Sequence, residues 1–171
     1  ARLADGDTAD LTIYPFADVH EDLWMLSADR TQPFAWTAAT CPDGGWVWFS
    51  LKDPRVLPST TVWLSNGGRT YAPWNSRHRR VIGLEEVCSY FHLGHKASIA
   101  DNPVSARGIP TAVTLGGDLV INYAFGLAPA PAGFGAVTQI LPASDGVRLI
   151  DAAGRETFAA CDLGFVAAPS N

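Results

Sequence analysis

The sequence has few charges and no excess of positive ones. Lys and Arg number 12 against 17 Asp and Glu, charged residues make up 17%, and the formal net charge is −5. A chain without a basic face is not built to track a phosphate backbone, so nucleic acid is excluded as a partner despite a local group of arginines. No apolar run approaches the roughly 18–20 residues that a membrane-spanning helix needs, so no membrane association is expected. No signal peptide is visible, and the chain starts at Ala1 rather than Met. Its true N-terminus is therefore expected further upstream. Cysteine is scarce: Cys41, Cys88 and Cys161 are odd in number and widely spaced. Without a C-x-x-C pair there is no zinc ribbon or redox motif, and the three read as reduced thiols in or near the core of a cytoplasmic protein. Also missing are a G-x-S-x-G elbow, a P-loop and a dinucleotide fingerprint. There is no internal repeat, charge tail or low-complexity tract, and no long 3.6-period amphipathic helix.

What is present fits an all-β protein. The 171 residues, 47% of them hydrophobic, suit one domain over 1–171 with a sizeable core. Twelve prolines and sixteen glycines punctuate short apolar runs. Strands are expected at Trp46–Leu51, Thr61–Ser65, Thr111–Leu115, Val120–Phe125, Val137–Leu141, Val147–Ile150, Thr157–Ala160 and Gly164–Val166, where β-branched and aromatic residues gather. Gly116-Gly117-Asp118 reads as a hairpin turn. Glu85–Phe91 has room for one helical turn at most, and Leu127–Gly133, rich in Ala and Pro, reads as a loop. Such a series of short strands predicts an antiparallel sandwich or barrel.

Residues 65–103 hold most of the chemistry. Arg69, Arg77, Arg79 and Arg80 can donate paired hydrogen bonds to hydroxyls, carboxylates or phosphates. Trp74 sits between turn-forming residues, so it is less easily assigned to a core than Trp46, Trp48 or Trp63, which read as core or sheet-face residues. Glu85 and Glu86 follow an apolar run; on a strand they point to opposite faces, so one can enter a site while the other meets solvent. His92 and His95 form H-x-x-H, but that spacing does not bring two side chains to one strand face, and no metal site is expected. His20 lies alone in an acidic segment. Asn66-Gly67-Gly68-Arg69 fits a turn better than a phosphate cradle.

The order Trp63-Leu64-Ser65-Asn66-Gly67-Gly68-Arg69, then Pro73-Trp74, Gly83-Leu84-Glu85, Asn102-Pro103 and Gly108, resembles the C-terminal half of aldose 1-epimerase (galactose mutarotase-like) proteins, over about Leu11 to Val166. The motifs are short. The resemblance implies an antiparallel β-sandwich of the galactose mutarotase type, with Glu85 as the catalytic base. Arg69, Trp74, Asn75, Arg77 and His78 would bind the sugar, an aldose or sugar phosphate, with no cofactor. It also implies a longer domain whose acid histidine lies upstream of Ala1. The chain would then be a C-terminal portion, or a short divergent relative. An incomplete sandwich leaves strand edges open, so a homodimer is a further expectation. The alternatives to an isomerase are a non-catalytic carbohydrate-binding module and a half-domain of the same fold.

Overall fold

The computed structural model describes residues 2–3, 6–10 and 12–167. Leu11, where the family resemblance begins, lies outside them. Among the described residues nine strands, two short α-helices and one 3-10 turn follow in order: β1 (His20–Ser27), β2 (Ala35–Cys41), β3 (Trp46–Lys52), β4 (Ser59–Asn66), β5 (Val81–Val87), α1 (His95–Ile99), the 3-10 turn (Ser105–Arg107), β6 (Tyr123–Pro129), β7 (Val137–Ala143), β8 (Gly146–Asp151), β9 (Glu156–Ala160) and α2 (Leu163–Ala167). All strand pairs are antiparallel, forming three sheets of order β1-β4-β5, β2-β3-β6 and β7-β8-β9. The protein is therefore all-β, built of antiparallel sheets. Its contacts resolve into two compact units: Ala1–Ser27 with Ser59–Ala112, and Ala28–Pro58 with Val113–Asn171.

The second unit holds two of the sheets around one apolar core. Alternation along β3 sends Val47, Phe49 and Leu51 inward, where they meet Ile140, Val147, Leu149 and Val166. Trp46 and Trp48 alternate to the other side, and Trp46 is exposed. Gly126 stands across from Phe49 in the register, and the ring fills the space that a Cβ would take.

The first unit is a three-stranded sheet with β4 at its centre. Its pairing register sorts the side chains onto two faces. Glu21 pairs with Ser65, Leu23 with Trp63 and Met25 with Thr61; across the other edge of β4, Thr61 pairs with Glu85 and Trp63 with Gly83. These residues share one face, because a strand's side chains alternate. The opposite face carries Trp24, the buried Val62 and Leu64, and Glu86, which accepts a 2.6 Å hydrogen bond from the Thr60 hydroxyl.

Several elements differ from the sequence expectation, each for a physical reason. No strand forms at Thr111–Leu115, and Gly116-Gly117-Asp118 closes no hairpin. The Thr111 hydroxyl instead donates to the Ser98 carbonyl at 2.7 Å and accepts from Asn102 Nδ2 at 3.0 Å. Val113, Leu115, Val120 and Ile121 stay exposed, so nothing rewards their β propensity. Pairing begins only at Tyr123 and continues to Pro129, into the segment expected to be a loop. As an edge strand, β6 tolerates the proline. Gly164–Val166 is helical, because Asp162 Oδ1 accepts the Phe165 amide at 3.1 Å in the manner of an N-cap. Glu85–Phe91 makes no helical turn; β5 remains extended through Val87.

Candidate functional site

The centre of the site is Trp63, half buried on the Glu21–Glu85 face of β4. Gly83 makes room for it. A Cβ on Gly83 would lie 3.2 Å from the indole and 3.8 Å from Glu85 Oε1, so the ring, the glycine and the carboxylate are immediate neighbours. Glu85 itself is exposed, and it makes no hydrogen bond or ion pair among the described residues.

Glu21, two strands away, is held in the opposite manner. It accepts from Trp63 Nε1 at 2.6 Å, Arg69 Nε at 2.7 Å and Ser65 Oγ at 2.9 Å. Burial pushes the Glu21 carboxyl upward, but the three donors and the Arg69 charge outweigh it and hold the group below the ordinary glutamate range. Glu21 is thus a fixed anion with three of its four lone-pair sites occupied, which suits orientation more than proton abstraction. Gly68 permits the arrangement: a Cβ there would sit 2.7 Å from Glu21 Cβ and 2.9 Å from the His20 backbone. The Asn66-Gly67-Gly68-Arg69 turn carries Arg69 back over Glu21.

The Arg69 guanidinium lies 4.5 Å from the Trp63 ring centre and 4.8 Å from that of Trp74. Its Nε is taken by Glu21, which leaves the terminal nitrogens for a ligand. The loop from Tyr71 to Arg77 brings Trp74 edge-on to Trp63, with centroids 6.0 Å apart and planes at 76°. The loop is closed by its own backbone: the Asn75 amide donates to Tyr71 O, and the Ser76 amide to Arg69 O. Asn75 and Ser76 both have positive φ, at 48° and 55°. Asn75 is exposed at the loop tip. The Arg77 side chain donates to Pro73 O at 2.6 Å and Trp74 O at 3.4 Å, so it fastens its own loop.

His78 stacks on Trp63 at 5.0 Å and 29°, and its Nδ1 is 3.3 Å from Ser65 Oγ. Ser65 spends its proton on Glu21, so its oxygen accepts from His78 Nδ1–H. The chain His78–Ser65–Glu21 thereby fixes the ring and leaves Nε2 as its unengaged nitrogen. Thr61, 2% exposed, adds a hydroxyl without a hydrogen-bond partner among the described residues, opposite Glu85 in the register. Tyr14 belongs to the same neighbourhood: burial, then the Glu21 charge, push its hydroxyl upward.

Of the residues singled out in the sequence, Arg69, Trp74 and His78 gather around Trp63, with Glu85 beside the same ring. Sequence reasoning missed Glu21, Trp63 and Ser65. Glu21 lies 42–48 residues from its three donors and is joined to them only by β1–β4 pairing. No local motif announces such a group, although the Gly-Gly pair marked the turn that accommodates it. Among the described residues no set of three or more His, Cys, Asp or Glu converges as a metal site. Cys41, Cys88 and Cys161 are free thiols. No helix among the described residues is long and apolar enough to cross a membrane. No family model, curated protein or solved structure matches the chain.

Proposed function

We propose that this face binds a sugar ring and that the protein interconverts the anomers of an aldose, in the manner of the galactose mutarotases that its motifs resemble. One observation carries the reading: Glu85 shares a sheet face with a fixed aromatic, guanidinium and imidazole group centred on Trp63. Aromatic faces cover the apolar C–H surface of a pyranose, while forked donors and an imidazole engage its hydroxyls.

In the reaction, Glu85 takes the proton of the anomeric hydroxyl. A carbonyl forms at C1 as the C1–ring-oxygen bond breaks, and the electron pair passes to the ring oxygen, which an acid protonates. Rotation about C1–C2 and closure on the other face return both protons and invert the anomer. His78 supplies that proton from Nε2 only as an imidazolium, with Nδ1–H held by Ser65 and Glu21. Arg69 and Trp74 hold the ring, and no redox change occurs.

The test is polarimetry of freshly dissolved α-glucose and α-galactose, with the spontaneous rate subtracted. The native protein should accelerate mutarotation, and Glu85→Gln should lower the rate by roughly 10²–10⁴-fold. Glu86→Gln should cost far less, because Glu86 bonds Thr60 on the other face. Acceleration that survives Glu85→Gln would remove the assignment. A second reading is favoured by Glu85 having no partner to orient it: a carbohydrate-binding module without turnover. It predicts no acceleration, together with a sugar-dependent fluorescence change that disappears in Trp74→Phe.

A further inference from the structure

A cleft of about 540 Å³ in the first unit is lined by Pro15, Phe16, Ala17, Asp18, Asn66, Arg79 and Arg80. Two arginines line it side by side. Successive residues of an extended chain point apart, but Arg80 has φ 54°, a left-handed backbone that a non-glycine residue adopts at a cost. Asn66, 6% exposed, ties the walls together: its Oδ1 accepts the Arg80 amide at 3.0 Å, and its Nδ2 donates to Ala17 O at 2.7 Å and Asp18 O at 3.1 Å. Arg79 is placed by Gly67, whose missing side chain leaves room for the guanidinium; a Cβ there would lie 3.2 Å from its central carbon.

Both guanidinium groups are unspent. Arg55, Arg69, Arg148 and Arg155 are each paired with a carboxylate, and Arg77 donates to carbonyls. The side chains of Arg79 and Arg80 have no hydrogen-bond or ion-pair partner among the described residues. Both side chains are exposed, so their donors are met by water and stand open to an anion. Asp18 supplies one negative charge at the rim, which leaves the three groups with a net positive charge.

The geometry points to this cleft as a phosphoryl-binding site. Two forks of N–H donors match the several acceptor oxygens of a phosphate monoester, which a lone hydroxyl would not satisfy. His78, which stacks on Trp63, directly precedes Arg79 in the chain, so one backbone segment serves both the aromatic face and the cleft. The ligand class is a phosphate monoester, a phosphorylated sugar among them, its phosphate held at Arg79 and Arg80; Asn66 alternates with Ser65 and Phe16 stacks on Trp24, so the cleft opens on the sheet face opposite Trp63. The sugar half of this statement rests on the reading above; the anion half does not.

Calorimetric titration with inorganic phosphate, glucose 6-phosphate and glucose tests it, on the native protein and on Arg79→Gln/Arg80→Gln. The native protein should bind phosphate, and glucose 6-phosphate more tightly than phosphate or glucose. The double variant should lose roughly tenfold or more in affinity for both phosphate compounds, the loss expected when charge-assisted hydrogen bonds are removed, and keep its affinity for glucose. Asp18→Asn, which removes the rim anion, should bind phosphate several-fold more tightly, so the proposal does not depend on a loss-of-function variant alone. An unchanged thermal midpoint in each variant confirms folding. Absence of phosphate binding in the native protein, or equal binding by the native protein and the double variant, would overturn the site. Glucose 6-phosphate binding no tighter than inorganic phosphate would overturn the ligand class. Intact phosphate binding with no glucose response in any variant would instead count against the sugar face.

Discussion

Three donors converge on Glu21, and the carboxylate makes them cohere. The Trp63 indole, the Ser65 hydroxyl and Arg69 Nε each spend a proton there. In Glu21→Gln the amide offers one acceptor oxygen in place of two and places an NH₂ against a donor. The expected cost is about 1–2 kcal/mol, the lower part of the range for hydrogen bonds to charged groups, because both Glu21 and Arg69 remain about a quarter exposed. Urea unfolding measures that cost. The same variant should loosen His78, since Ser65 would no longer be obliged to accept from it. If His78 is the acid, the polarimetric rate falls along with the stability; a structural role alone lowers stability and leaves the rate per folded molecule intact. The local half of this site could be read in the sequence, because Arg69, Trp74 and His78 lie within ten residues on a turn-rich segment. The other half could not. Glu21 reads as a surface acid in Asp18-Val19-His20-Glu21-Asp22 until β1 pairs with β4 and sets it beside Ser65. Trp63 reads equally well as core or sheet face, and only the absence of a side chain at Gly83 shows that its ring is accommodated by the neighbouring strand.

Strands with dense β-branched or aromatic content were legible as elements: β3, β4, β7, β8 and β9 fall where that content is high. Strands formed mainly because a partner was available were not. β2 is Ala-Trp-Thr-Ala-Ala-Thr-Cys: its Trp and two Thr favour extension, its three alanines dilute the signal, and pairing with β3 supplies the rest. The reverse holds at Val113–Leu115, where apolar residues stay exposed and unpaired. Two glycines of the first sheet separate a steric requirement from a positional one. In Gly68→Ala the new methyl meets Glu21 Cβ at 2.7 Å and the His20 backbone at 2.9 Å, and backbone yields poorly. A loss of about 1–3 kcal/mol is expected, as for other overpacked sites. In Gly83→Ala the contact is 3.2 Å from a side chain that can shift by a few tenths of an ångström. The reduced entropy of the unfolded chain offsets part of that strain, so the net change in stability should stay within about 1 kcal/mol. Trp63 must still move, and the sugar-dependent fluorescence should change even where stability does not. Denaturation curves recorded with ligand titrations on both variants separate the two cases; equal stability losses would show that Trp63 is as rigidly held as the backbone at Gly68.

Taken whole, the molecule is not stabilised alike in its two units. The clustered apolar core belongs to the second, where Val47, Leu51, Val147 and Leu149 are fully buried. Both units bury polar groups, the second Ser50, Lys52, Asp53, Asn122 and Asp151; in the first, Thr60, Thr61, Ser65, Asn66, Asn102 and Thr111 take part in hydrogen-bonded turns and pairings or line the sugar face. Each unit also contains a strongly held carboxylate, Glu21 in the first and Asp151 in the second, whose titration contributes to the response to acid. Asp151, whose side chain is 1% exposed, accepts the amides of Gly135, Ala153 and Arg155 and the Arg155 guanidinium. The Gly135 amide contributes most to lowering its pKa; burial opposes, but the combined donors bring it from 3.8 to about 2. A carboxyl whose folded pKa lies below its unfolded value contributes stability that is complete above the unfolded value and is lost as pH falls towards the folded one. Asp151 therefore contributes fully above pH 3.8, and that contribution declines between 3.8 and about 2. Glu21 behaves in the same sense, with its loss starting as pH falls below 4.5. Thermal midpoints measured from pH 7 to pH 2 should fall in the native protein across this range. Asp151→Asn should start lower at neutral pH, having lost the charge that its donors were arranged around, and then decline less steeply between pH 3.8 and 2, because the titrating group is gone. Glu21→Gln should flatten the curve beginning nearer pH 4.5. Native and Asp151→Asn curves that run parallel below pH 3.8 would show that the four donors do not hold the Asp151 carboxylate as this account requires.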